Sequence, residues 1–334
     1  MTRNISIDAL RVIATILVIL LHISGGYVVS IGDEEYNFNF WTANLIDSFS
    51  RICVPLFVLI SGRYLLDKKE PIQDFYKKRV QRILLPLIFA TVIYSFYQFI
   101  GIYYVTGKFN FNTIANNIIL GKPYYHLWYL YMLLGLYLIT PILREIKEKL
   151  TLKQCYTLSI GLIIFGMILD TYDSVLGNKT FFMLWSLKYL GYFFLGYLLK
   201  DLRYFSVLSL SLIYIISSIA TAIATYFTLS YFNSLYFYNY LSPFVIISSL
   251  AFYQIFSQIN LKNVLFEKLA PLTLGIYIIH AGVLSVLVKI FEKYPLQIST
   301  NIIIEIIIKF SIVFSISMII SYLFSKNRIL RKLI

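Results

Sequence analysis

A chain of 334 residues that is 59% hydrophobic and only 13% charged is far from a soluble domain, where apolar residues make up roughly 45–50% and charged ones about 25%. A mean hydropathy of +0.76 and a succession of long apolar runs place it among polytopic membrane proteins. The net charge of +13 would point a soluble protein toward nucleic acid; here Lys and Arg concentrated in the loops on one side of a bilayer explain it, so no nucleic-acid partner is expected.

Ten stretches are long enough to cross the hydrocarbon core: roughly 5–31, 43–66, 80–105, 124–144, 155–172, 181–199, 204–230, 236–257, 270–290 and 300–325. The expected fold is an all-α integral membrane bundle of about ten transmembrane helices, a single membrane domain over 1–334. The first run imitates a secretory leader, with Arg3 ahead of it and small residues at Ser24 to Gly26. Its length and its charges argue for a retained span. Asp8 and Arg11 share one helix face, and His22 lies eleven residues beyond Arg11, about three turns along the same stripe, with Thr15 between. An ionisable group inside a span costs roughly 2.5–3.5 kcal/mol, so by default it faces protein or water and marks a functional site. Asp8 and Arg11 can also simply pair at the interface. No such structural need explains an imidazole at position 22.

Loop charge sets the orientation. Lys68, Lys69, Lys77, Lys78 and Arg79 share one side with Arg144 to Lys153, Lys200, Arg203, Lys262, Lys268 and the basic tail. The alternate loops hold Lys108, Lys122, Lys179, Lys289 and Lys293 beside Asp33, Glu34, Glu35 and Asp173. Both termini are then expected in the cytoplasm of a plasma-membrane protein. On that orientation His22 and Arg51 fall at similar depth in the outer half, His126 opens the fourth span and His280 sits near the middle of the ninth. Convergence of the three histidines depends on helix rotations that the spacing does not specify. His126 fits an interfacial aromatic belt with Tyr125 and Trp128 equally well. Arg79 and Arg82 share a face at the cytoplasmic end of the third span, as a forked grip on donor phosphates or as arginines snorkelling to lipid phosphate. Arg63 reads as a snorkelling charge, Lys188 as a snorkelling or cavity residue, and Glu305 and Lys309 as a mutually neutralising pair. Cys53 and Cys155 give neither a disulfide framework nor a metal spacing, and no metal is expected.

These residues together resemble the multipass membrane acyltransferase-3 family over nearly the whole chain. The resemblance is carried by Asp8, Arg11 and His22, by Arg51 through Pro55-Leu56-Phe57 to Ser61-Gly62, and by Arg79-Val80-Gln81-Arg82. It continues in His126-Leu127-Trp128-Tyr129-Leu130 and in Gly275-Ile276-Tyr277-Ile278-Ile279-His280, which has one residue inserted before the tyrosine. Ala43 to Arg51, Lys122-Pro123 and Thr140-Pro141 are similar to stand-alone members of the enterobacterial common antigen O-acetyltransferase type. Arg63 departs from the pattern, which usually has an aromatic after Ser-Gly.

The resemblance implies O-acetyl transfer from cytosolic acetyl-CoA to a hydroxyl of an envelope polysaccharide or lipid-linked glycan, with no extracytoplasmic esterase domain. His22 would be the base or the acyl-carrying nucleophile, with Arg11 and Asp8 tuning it and Arg51 at the developing oxyanion or the acceptor. Arg79 and Arg82 would hold the CoA phosphates. His126, Trp128, Tyr125 and His280 are the acceptor-side candidates. A transporter of acyl groups, amino acids or lipid-linked sugars would also use intramembrane Arg and His, and is the competing class.

Overall fold

The computed structural model describes residues 4–30, 36–108, 110–177, 181–294 and 301–334. The outer-loop charges Asp33, Glu34, Glu35 and Lys179 lie outside these described residues.

The first expected span is one helix, α1 (Ile5–Ser30). The second is two, α2 (Phe38–Ser50) and α3 (Cys53–Leu65), separated by a turn at Arg51 and Ile52. Pro55 explains the break, because its ring has no N–H for the carbonyl four residues back and crowds that carbonyl, which belongs to Arg51. The third span repeats the device. Here α4 (Ile72–Arg79) passes through a π-helical turn, Val80–Leu84, into α5 (Leu85–Thr106). Pro86 stands four residues after Arg82, and the wider turn absorbs the missing bond. Both breaks share an Arg-x-x-x-Pro spacing, and both put an arginine where the helix is interrupted.

A short helix with no counterpart among the expected spans, α6 (Phe111–Ile119), precedes α7 (Trp128–Lys149). The fifth span, α8 (Leu152–Leu176), is longer than the expected 155–172 because Thr151 and Gln154 form a capping box that starts it early. The sixth, expected over 181–199, is broken into a 3₁₀ turn at Phe182–Leu184, α9 (Trp185–Lys188), α10 (Leu190–Leu198) and a second 3₁₀ turn at Leu199–Asp201. The chain then forms α11 (Val207–Phe232), α12 (Pro243–Gln258), α13 (Val264–Leu269), α14 (Thr273–Lys293) and α15 (Ile302–Lys326). Nine continuous stretches among the described residues are long and apolar enough to cross a membrane. The chain is an all-α integral membrane bundle, as helices alone of the open structures satisfy every backbone group in lipid.

Two compact units can be distinguished, one of residues 1–63 and 192–322, the other of residues 64–191 and 323–334. In the first, α1 packs on α2, α12 and α14, and α11 packs on α2 and α12. Ser6 fixes the start of α1 by donating to the Ile259 carbonyl (2.8 Å) and accepting from the Leu261 amide (2.9 Å). Arg63 does not snorkel: its Nη1 donates to the Ser257 hydroxyl at 3.2 Å and the Lys200 carbonyl at 3.3 Å, tying the end of α3 to its neighbours. Lys309 pairs with Glu305 at 2.7 Å and also donates to the Tyr27 hydroxyl at 2.7 Å.

Helices α3 and α10 approach to backbone contact through reciprocal glycines. A Cβ on Gly62 would lie 1.8 Å from the Phe193 carbonyl oxygen, and one on Gly196 would lie 2.0 Å from that of Leu59. Neither obstacle is a side chain that can swing away. Gly62→Ala and Gly196→Ala are each expected to destabilise by more than the usual 1–3 kcal/mol, roughly, of overpacking. Thermal unfolding in detergent and membrane abundance measure this, and a wild-type midpoint for either variant would show that the two helices are not packed this closely.

In the second unit α7 contacts α4 and α9, and α8 contacts α9. Lys188 is buried where α9 ends, held by Asp173 and, at 3.5 Å, by Asp170 of α8. Two carboxylates from one helix thus neutralise a lysine in the broken sixth stretch.

Candidate active site

In the first unit the Pro55 break sets the position of Arg51. It leaves Arg51 at the end of α2, free of a regular helical turn, with its side chain 15% exposed. Its Nη2 donates to Asp47 Oδ2 at 2.9 Å and its Nε lies 2.6 Å from Oδ1. Nη1 donates to the Tyr238 carbonyl at 3.1 Å, and the guanidinium stacks 4.0 Å above the Tyr238 ring. The Tyr238 hydroxyl donates to Asn44 Oδ1 at 2.7 Å, while Asn44 Nδ2 donates to the Ala222 carbonyl at 3.0 Å. Asp47 and Asn44 are fully buried. The arginine is therefore held in a fixed orientation by a carboxylate, a carbonyl and an aromatic face.

His22 of α1 is partly buried and stacks on His280 of α14, with ring centroids 5.4 Å apart and planes inclined by 19°. His280 is fully buried, and its Nδ1 lies 2.6 Å from the Tyr277 carbonyl. A carbonyl only accepts, so Nδ1 carries a proton and Nε2 is the bare nitrogen of the neutral ring. Arg51 lies within electrostatic reach of His22. Gly25, one turn on from His22, faces the same carboxylate: a Cβ there would lie 3.1 Å from Asp47 Oδ2, whereas one on Gly26 meets nothing within 4 Å. The fold thus brings together His22, His280, Arg51 and Asp47 from α1, α14 and α2. Arg11 and Asp8 form their own pair at 3.4 Å, about 16 and 21 Å down the axis of α1 from His22 at 1.5 Å per residue.

The second unit holds two further clusters. Arg79 is 5% exposed, whereas Arg82, within the π-helical turn, is exposed. Arg79 Nη2 donates to Glu70 Oε1 at 3.4 Å, and its guanidinium lies 4.6 Å from the centre of the Phe75 ring and 5.7 Å from that of Tyr137. Arg144 Nη2 reaches the same Oε1 at 3.6 Å. Lys78 and Lys68 contact Oε2 at 2.8 and 3.3 Å. Burial alone would push the Glu70 carboxyl up, but the hydrogen bonds and charges of Lys78 and Lys68 outweigh it and hold it down at about 2. Its stabilising contribution is thus present above the ordinary carboxylate range and is lost as pH falls toward 2.

The other cluster is aromatic. His126 is 1% exposed and lies among Tyr94, Tyr124 and Tyr125, at centroid distances of 5.1, 5.8 and 5.5 Å. Trp128 packs against Tyr189 and Trp185, and Lys122 sits 5.6 Å over the Trp185 ring.

A helical membrane bundle with a His–His–Arg–Asp group in one unit and an arginine cluster in the other defines a polytopic membrane protein. The acyltransferase domain family of type 3 matches residues 4–326, and the chain belongs to that family of membrane acyltransferases. The chain is 26% identical over 227 residues to the glucans biosynthesis protein C of Escherichia coli O157:H7, covering 58% of this chain and 57% of that protein. The protein of the same name from Escherichia coli strain K12 matches with the same identity and coverage. The chain thus spans little more than half the length of these curated relatives. No solved structure matches it.

Asp47, Glu70 and Arg144 were not among the residues expected at a site. Asp47 was legible as a carboxylate four residues before Arg51 inside an apolar run, the same pattern that identified Glu305 and Lys309. Glu70 and Arg144 gave no signal beyond loop charge, because the contact between them is long-range.

Proposed function

We propose that the protein is a plasma-membrane O-acyltransferase, both termini cytoplasmic, that moves an acetyl group from cytosolic acetyl-CoA to a hydroxyl of an envelope polysaccharide or lipid-linked glycan. The observation that carries this reading is the His22–His280 stack beside an arginine locked by Asp47, in a chain of an acyltransferase family. The acceptor oxygen bonds to the thioester carbonyl carbon while its proton passes to His22. The C–S bond then breaks, and the proton leaves on the sulfur of CoA. An imidazole, which can take a proton on one ring nitrogen and return it, suits that exchange, and a fixed guanidinium suits the oxyanion that develops on the carbonyl oxygen. An acetyl group carried on the His22 ring would make the same demand on Arg51.

His280, fully buried, acts on His22 by holding its ring plane and not on the acceptor. Arg11 and Asp8 set the charge of α1 below the reacting ring. Arg79 and Arg82 carry the donor phosphates, and the Tyr125, His126 and Trp128 cluster offers faces on which sugar rings stack. Mass spectrometry of envelope glycans from a deletion strain and its parent tests the reading. The deletion strain is expected to lack an acetyl increment on one glycan, and identical acylation in both strains would sink the assignment.

A further inference from the structure

The cations around Glu70 exceed what one carboxylate can satisfy. Lys68, Lys78, Arg79 and Arg144 all converge on it. The lysines sit at hydrogen-bonding distances, but Arg79 and Arg144 share a single oxygen at 3.4 and 3.6 Å, at or beyond the limit of a good bond. Each keeps a buried nitrogen, Nε of Arg79 and Nη2 of Arg144, without a hydrogen-bond acceptor. The two guanidiniums are otherwise rigidly placed. Both stack on the fully buried Phe75 ring, at 4.6 and 4.5 Å, and Arg144 Nε donates to the Leu65 carbonyl at 2.8 Å. Glu70, by contrast, lies on the irregular connection between α3 and α4.

Paired arginines on a fixed base, each with donor capacity unspent, match a phosphate group. Its oxygens can take two bonds from each fork, where one carboxylate oxygen takes a weak one from both. We propose that Arg79 and Arg144 form the paired grip for the phosphate groups of an anionic ligand, and that Glu70 is a carboxylate stand-in which competes with that ligand for the same two guanidiniums. This rests on the donor reading above, but it moves the second arginine from Arg82, on the exposed side of the π-helical turn, to Arg144 on α7. Ligand binding then exchanges Glu70 for phosphate, with Lys68 and Lys78 left to neutralise the released carboxylate. Lipid phosphate offers the same chemistry as a diphosphate, so the test must separate the two.

The full chain in phosphatidylcholine nanodiscs can be titrated with inorganic pyrophosphate and with CoA. Arg144→Lys and Arg79→Lys keep charge but lose the fork. Each is expected to weaken both ligands by about ten- to hundredfold, with Arg82→Lys clearly milder. Glu70→Gln, isosteric and uncharged, is expected to tighten both several-fold. Glu70→Asp, which keeps the charge but withdraws it by one methylene, serves if Gln impairs folding and is expected to act in the same direction. Unchanged binding in Arg144→Lys, or weaker binding in both Glu70 variants at wild-type thermal stability, would overturn the proposal. If pyrophosphate responds as expected while CoA fails to bind the wild type, the anion site stands and the acetyl-CoA reading falls. Pyrophosphate binding that is lost when the disc contains phosphatidylglycerol assigns the grip to lipid phosphate and overturns its role toward a soluble ligand.

Discussion

His22→Ala is expected to abolish glycan acylation while leaving the protein in the membrane at near-normal amount. Removing a general base lowers a rate by about 10² to 10⁴, and loss of an acyl-carrying nucleophile lowers it at least as far. The accompanying structural loss is small, since His22 is only partly buried and its ring contributes one face of a stack. His280→Ala should behave differently. It empties a fully buried site and removes the bond to the Tyr277 carbonyl, so abundance should fall together with activity. His126→Ala removes one ring from an aromatic cluster that retains Tyr94, Tyr124 and Tyr125, so transfer should be reduced and not abolished. Acetyl-CoA binding should largely survive in His22→Ala, because the arginines proposed to hold the donor phosphates lie outside α1. Measured acylation by His22→Ala at the parental rate would remove its catalytic role and return the transporter class to the front.

The spans were legible because run length and hydropathy report directly on a bilayer, and helices are the only open structures that lipid tolerates. Interruptions within spans were not read, although Pro55 and Pro86 were in plain view. A proline in a membrane helix does not say whether the chain will kink, widen to a π turn or break. That is settled by what packs against it. The broken sixth stretch is the same case, since its hydropathy is that of a span while Lys188 finds two carboxylates on another helix. The spacing also put His22 and Arg51 at similar depth, and the two lie within electrostatic reach of each other. Rotation was not legible, so the stacking of His22 on His280 and the burial of Arg79 beside an exposed Arg82 belong to tertiary packing alone. Arg63 shows the limit of a charge-only reading: a basic residue at the end of a span looks ready to snorkel, yet it bonds inward to Ser257 and the Lys200 carbonyl.

Asp47→Ala is expected to be the most damaging substitution at the site for stability, although Asp47 touches no reacting atom. It is fully buried, and its carboxylate is the counter-charge to Arg51. Two charges this far from water persist because each offsets the other's desolvation, so removing one leaves the other uncompensated, at about 3–5 kcal/mol. Arg51→Ala should destabilise for the same reason from the opposite side. The double variant should be less damaged than the sum of the two singles, because with both charges gone nothing buried is left unpaired. Gly25→Ala offers a milder push on the same carboxylate, with Gly26→Ala as its control, since only the Cβ at position 25 approaches Asp47. Thermal unfolding of the wild type, both singles and the double variant in one detergent gives the coupling directly. If the singles simply add, or if Asp47→Ala unfolds at the wild-type temperature, the pair does not hold Arg51. The guanidinium would then lack the fixed orientation that oxyanion stabilisation requires, and Arg51 would lose its place in the proposed chemistry even if His22 kept its own.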